Sequence, residues 1–169
     1  MYNYNNLLYA IANCGFITPA LAQKYFNISR VSFKQLEKNH VLSKKGNFIL
    51  FGKTASIYNL TDKSKYSLRS YGKYSYRTNT SQLEHDYLLL KAYCLLPTVC
   101  QDSWLNETEL KLIYGNITTT DALFIYNNLK ISVEVITPAY SNDTIQDKVK
   151  FSNNHCDKLI TLNTADIKY

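Results

Sequence analysis

Arg30, Ser32, Lys34, Gln35 and Lys38 stand close together in the stretch SRVSFKQLEKN, at spacings that share one side of a helix. Long basic and amide side chains so arranged can meet phosphate oxygens and hydrogen-bond base edges. On that chemistry Ser32, Lys34 and Gln35 are the candidates for base reading. Arg30 is the candidate for phosphate contact, together with Lys44 and Lys45 just downstream. Lys38 completes the same polar face.

Two short helices must position these residues. Leu7, Leu8, Ile11 and Cys14 recur at helical spacing, so a first helix is expected over Asn5–Cys14, stopped by Gly15. Thr18-Pro19 reads as an N-cap followed by a proline at the first helical position, which predicts a second helix over Pro19–Phe26. Ser29 is a cap for a third helix, Arg30 to about Asn39. Its inward face is expected to hold Val31, Phe33 or the stem of Lys34, Leu36 and His40. A helix pair with a short turn and a basic second member is a helix-turn-helix. Val41–Ser43 and Phe48–Phe51 read as strands around a Lys44-Lys45-Gly46-Asn47 turn, which predicts a hairpin with a cationic tip. Leu36-Glu37-Lys38-Asn39-His40-Val41-Leu42, with Tyr58-Asn59-Leu60-Thr61 further on, resembles winged-helix DNA-binding proteins.

The charge is divided along the chain. Residues 1–80 carry twelve Lys and Arg against two Asp and Glu, a net of +10, whereas residues 81–169 carry seven against eleven, a net of −4. A basic half suits a polyanion, and the asymmetry suggests modules with different partners. Three spans are expected: a winged helix-turn-helix over 1–62, a basic Tyr-rich linker over 63–80 and a second domain over 81–169. In the linker Tyr66, Tyr71, Tyr74 and Tyr76 alternate with Lys63, Lys65, Arg69, Lys73 and Arg77. Such a segment can track a phosphate backbone, or be an ordinary linker whose tyrosines pack on neighbouring surfaces.

Composition limits the remaining classes. No apolar run reaches the roughly 18 residues of a spanning helix, and no basic n-region precedes the first apolar stretch, so a cytoplasmic protein without membrane contact is expected. Cys14, Cys94, Cys100 and Cys156 form no close pair, which argues for free thiols rather than a zinc site. His85-Asp86 could pass for a catalytic pair; beside Leu88 it reads better as a hydrogen-bonded structural corner.

From residue 81 the pattern predicts a helix over Ser81–Leu96 ended by Pro97, then strands over Val99–Leu105, Glu109–Tyr114, Asp121–Tyr126 and Lys130–Thr137. Asn127-Asn128 is a hairpin turn signal. A helix over Asn142–Phe151, with Ile145, Val149 and the Lys148 stem inward, and a strand over Lys158–Leu162 follow. The whole is α+β, and the second domain resembles the restriction-endonuclease-like fold. In that fold an Asp at a strand start and a Glu-x-Lys on the next strand hold a divalent metal such as Mg²⁺. Asp121 and Glu134 match the two acidic positions, but Ile136 stands where the lysine belongs. Lys148 or Lys150 on the next helix could replace it in space. Asp121 and Glu134 are therefore remnants in a binding domain without a cofactor, a Mg²⁺ site of a DNA nuclease, or simply edge residues facing solvent.

Across nearly its whole length the chain resembles the replication-relaxation family of plasmid and mobile-element proteins. The resemblance rests on Tyr58-Asn59-Leu60-Thr61, Glu84-His85-Asp86, Asp121-Ala122-Leu123-Phe124 and Val133-Glu134-Val135. It departs after the Glu, where the family is usually rich in Asp and Arg and this chain has Ile136-Thr137-Pro138-Ala139-Tyr140. The resemblance implies a double-stranded-DNA-binding accessory or regulatory protein for origin binding, relaxosome assembly or transcription control. A homodimer would meet two half-sites roughly 34 Å apart, or a multiple of that. The acidic domain would dock a protein partner. The competing functions are the metal-dependent nuclease and a pure protein-docking module, such as a phage inhibitor of a host enzyme.

Overall fold

The computed structural model describes residues 2–115 and 117–166. Helices and strands are mixed along the chain, giving an α+β chain. It divides into two units, Met1–Asp86 and Tyr87–Tyr169. That boundary replaces the expected ones at 62 and 81.

In the first unit α1 spans Tyr2–Cys14, starting earlier than the apolar spacing suggests. It buries Leu7, Ala10, Ile11 and Cys14. Gly15, at φ 93°, ends it by donating its N–H to the Ile11 carbonyl at 2.8 Å. α2 spans Pro19–Phe26 and is capped by the Thr18 hydroxyl, which accepts from Leu21 N at 3.1 Å. Asn27 closes it in the left-handed conformation, φ 54°. α3 spans Arg30–Lys38, with Ser29 Oγ accepting from Ser32 N at 3.1 Å. Both caps stand where the sequence puts them.

α3 buries Phe33 and Leu36 only. Val31 is 72% exposed and His40 is exposed too, so neither faces inward as expected. The Phe33 ring meets Tyr58 edge-on at 4.9 Å and fixes α3 against the hairpin.

The hairpin differs from expectation. β1 runs unbroken over Leu42–Leu50 and β2 over Lys53–Leu60. The turn is Phe51-Gly52, with φ 51° and 69°, the conformation that two-residue hairpin loops require. Lys44–Asn47 is no turn. The register slips between Lys44 and Gly46, leaving Lys45 as the extra residue of a bulge. Ile17 adds a short antiparallel bridge, exchanging both backbone hydrogen bonds with Tyr58 at 2.9 Å.

Residues 63–80 are not a linker. Asp62–Arg69 form α4, capped by Thr61, whose hydroxyl also donates to the His40 carbonyl at 2.7 Å. The extended chain beyond lies across the end of α1. There Tyr76 N donates to the Ala12 carbonyl at 2.7 Å and Asn59 Nδ2 donates to Thr78 Oγ1 at 3.2 Å. Tyr66 and Tyr71 are exposed rather than packed.

α5, Leu83–Leu95, contains the boundary between the units. Two expected strands are corrected in the second unit. Val99–Leu105 is mostly α6, Thr98–Asp102, followed by a short β3, Leu105–Asn106. Glu109–Tyr114 lies in α7, Glu107–Tyr114. α7 starts with a capping box: Asn106 Oδ1 accepts from Glu109 N at 3.2 Å and Glu109 Oε2 accepts from Asn106 N at 2.9 Å.

β4 spans Ala122–Tyr126 and β5 Leu129–Ile136, joined by Asn127-Asn128 at φ 50° and 63°. α8, Asn142–His155, is longer than expected and carries the chain to β6, Lys158–Asn163. The sheet order is β3-β4-β5-β6, antiparallel except for the parallel β5/β6 pair. The core holds Trp104, which stacks on Phe124 at 6.0 Å and meets Tyr93 edge-on at 5.4 Å. All four cysteines are free thiols.

Candidate functional site

Two places in the chain gather the predicted residues. The first is the outer side of α3. Arg30, Lys34, Gln35 and Lys38 are exposed there, as the spacing requires. Val31 shares this side with Lys34, Gln35 and Lys38 and puts an isopropyl group among the polar heads. Ser32 is less available, because Ser29 Oγ takes its amide and donates to its hydroxyl at 2.9 Å. Arg30 and Lys34 also line a groove of 470 Å³, with Phe33 and Glu37 on the same wall and Thr54, Ala55 and Ser56 of β2 opposite. Inside it the Tyr58 hydroxyl donates to Glu37 Oε2 at 3.4 Å. Burial, and then Glu37, push the Tyr58 hydroxyl above its ordinary pKa. Lys44 and Lys45 are exposed, but on the bulged part of β1 rather than at a hairpin tip.

The second place lies between β5 and α8. Pairing of Ala122 with Val133 brings Asp121, at the start of β4, beside Glu134. Asp121 Oδ2 accepts from Val135 N at 2.7 Å, and Glu134 Oε2 accepts from Asp121 N at 3.1 Å. Lys148 Nζ reaches both carboxylates, at 3.1 Å from Asp121 Oδ1 and 2.6 Å from Glu134 Oε1. Asp121, Glu134 and Lys148 are all buried.

The sequence builds this contact from two periodicities. Ser132 and Glu134 are two residues apart on a strand, so they share a face. Lys148 and Ser152 are four apart on a helix, so they share a stripe. The Ser132 and Ser152 hydroxyls meet at 2.7 Å, one rung beside the Lys148–Glu134 rung. Phe151, buried on α8, adds apolar anchorage.

The electrostatics follow from burial. Desolvation is the largest influence on Glu134, and the Asp121 charge adds to it; against the pull of Lys148 they raise its pKa to about 8. For Lys148 desolvation favours the neutral amine, but Asp121 and Glu134 outweigh it and raise the pKa. Tyr140, whose ring centroid lies 5.3 Å from Lys148 Nζ, is also pushed up, mainly by burial and then by Asp121.

The edge-residue reading of Asp121 and Glu134 is thus corrected: both are interior. Lys148, not Lys150, joins them, since Lys150 is exposed. The fit to a divalent cation is poor as arranged. Each carboxylate oxygen already faces an ammonium or a backbone N–H, and the ammonium stands where a cation would bridge the pair. Among the described residues no group of three or more His, Cys, Asp or Glu side chains is placed to hold a metal.

His85 and Asp86 form a buried corner, with His85 Nδ1 and Asp86 Oδ1 at 3.1 Å and Tyr76 OH donating to the same oxygen at 3.1 Å. Burial raises the Asp86 pKa against the pull of both partners. No helix among the described residues is long and apolar enough to cross a membrane. No family model matches the chain, and neither a curated protein nor a solved structure matches it.

Proposed function

We propose that this chain binds double-stranded DNA without cutting it, as an accessory or regulatory protein of a mobile genetic element. In this reading the first unit is a winged helix that lays α3 in the major groove, and the second is an endonuclease-like domain turned to docking or self-association. The observation that carries it is the exposed face of α3, where Arg30, Lys34, Gln35 and Lys38 project from a helix fixed by Phe33 and Leu36. The basic balance of the surrounding sequence supports it, since phosphate contacts supply most non-specific affinity. The resemblance to replication-relaxation proteins supports the mobile-element setting. Lys148 beside Asp121 and Glu134 stands in space for the lysine missing from β5, and this contact favours the metal-dependent nuclease as the second reading.

The test is capture and sequencing of fragmented DNA on the purified protein, followed by salt titration of the enriched duplex. Arg30→Ala with Lys34→Ala should weaken binding and lower the salt slope by about 0.9 for each phosphate that is no longer neutralised. Unchanged affinity and slope would exclude α3 as the binding face. A symmetric site would report a dimer. Nicking of supercoiled plasmid in Mg²⁺ or Mn²⁺ that Glu134→Ala abolishes would replace this reading with the nuclease.

A further inference from the structure

A second cavity in the first unit is built from different elements. It encloses 240 Å³ between the bulge of β1, the end of β2, α4 and the segment that crosses the end of α1. Lys45, Lys65 and Arg77 line it, with Asn59, Ser75 and Thr78. No carboxylate is among its lining residues. Asp62, fully exposed, holds Lys65 Nζ at 3.0 Å and also feels the charge of Lys45.

Local structure explains why three cations meet here. The bulge between Lys44 and Gly46 sets Lys45 out of the regular ladder. α4 carries Lys65 one turn in from its Thr61 cap. The bond from Tyr76 N to the Ala12 carbonyl pins the strand-like segment that brings Arg77. The same bond, with Gly15 N on the Ile11 carbonyl, occupies acceptors at the end of α1 that would otherwise oppose an anion.

The floor is polar and incompletely satisfied. Asn59 Nδ2 donates to Thr78 Oγ1, whereas the buried Asn59 Oδ1 has no hydrogen-bond partner among the described residues. Turning the carboxamide over lets Thr78 donate to the oxygen. Lys45 and Arg77, with Lys65 shared with the exposed Asp62, and the hydroxyls of Ser75 and Thr78 are a recognition set for phosphoryl oxygens.

We propose that this cavity is a phosphate-binding pocket, taking a phosphoryl group through Lys45, Lys65 and Arg77 with Asn59 and Thr78 at its floor. The group is either a backbone phosphate of bound nucleic acid or that of a small phosphorylated ligand. A small phosphorylated ligand needs no duplex bound at α3; a backbone phosphate, reached through Lys45, rests on the DNA-binding reading.

The probes are inorganic phosphate and pyrophosphate, titrated calorimetrically into the full chain. Saturable binding is expected, weakened at least tenfold by Lys45→Gln with Arg77→Gln. Lys24→Gln with Lys53→Gln removes the same charge outside the pocket and should stay within twofold of the unsubstituted protein. No saturable binding, or an equal loss in both double variants, overturns the pocket. Pyrophosphate that displaces duplex from the unsubstituted chain but not from the pocket variant identifies a backbone phosphate. Binding without displacement identifies a small phosphorylated ligand. If no duplex binds at all, the DNA reading fails while the phosphate titration still decides the pocket.

Discussion

Lys148 Nζ lies 2.6 Å from Glu134 Oε1, an ion pair made by a helix over the strand that precedes it in the chain. The ammonium also serves Asp121, so its removal strands the Asp121 carboxylate in the interior beside the protonated Glu134. Lys148→Met should therefore cost about 3–5 kcal/mol of unfolding free energy, the usual result of breaking a buried pair from one side. Asp121→Asn and Glu134→Gln added to Lys148→Met remove the uncompensated charge and should recover much of the loss. Urea unfolding of the three chains measures this. A Lys148→Met chain as stable as the original would mean that the cluster is open to water.

The raised Glu134 pKa fixes the sign of a pH dependence. Glu134 titrates at about 8 when folded against an ordinary 4.5, so between those values the native state holds a proton that the unfolded state has lost. Stability from this group is complete below about 4.5 and is lost as pH rises towards 8. One proton corresponds to a slope of at most about 1.4 kcal/mol per pH unit. Asp86, also raised by burial, acts in the same sense. Melting temperature should fall from pH 5 to pH 8, and less steeply in Glu134→Gln. Parallel curves for the two chains would remove Glu134 as the source.

How much of this could be read in advance depends on the distance over which each feature is decided. The caps Thr18 and Ser29 act within three residues, and both are legible. The hairpin turn is not. Lys-Lys-Gly-Asn and Phe-Gly are both acceptable turn chemistry, and only the ladder that pairs Leu42 with Leu60 and Leu50 with Lys53 selects the second. α7 is a different case, since the Asn106-Glu107-Thr108-Glu109 capping box is written in the sequence and outweighs the strand-like Leu110–Tyr114 run. Residues 63–80 look like a linker by composition, yet Tyr76 is tied to Ala12 at the far end of the unit's sequence. Lys148 can be named as a substitute lysine with its stem already inward by spacing, but the approach of α8 to β5, where Ser152 meets Ser132, is a long-range contact that spacing does not fix.

Val31 separates stability from recognition. At 72% exposure its side chain contributes little to the core, so Val31→Ala should change stability by no more than about 0.5 kcal/mol. If α3 enters the major groove, the same change trims an apolar contact suited to a thymine methyl and should weaken the preference at one base position. Competition among single-base variants of the enriched duplex measures this. An identical base preference in both proteins would take Val31 out of the interface.

Gly15 joins the end of α1 to the segment that carries Arg77. Its φ of 93° disfavours any side chain, and a Cβ there would run into Thr78 Oγ1 and press on Tyr76. Gly15→Ala should cost about 1–3 kcal/mol, combining backbone strain with displacement of Thr78. Because Thr78 also holds Asn59, phosphate binding in the neighbouring cavity should weaken in the same variant. Thr78→Ala removes the obstructing oxygen, so the double variant should lose less stability than the two single losses together. Thermal melts of the four chains give the coupling. Strict additivity would mean that Gly15 is needed for its backbone angle alone and that the close approach of Thr78 contributes nothing.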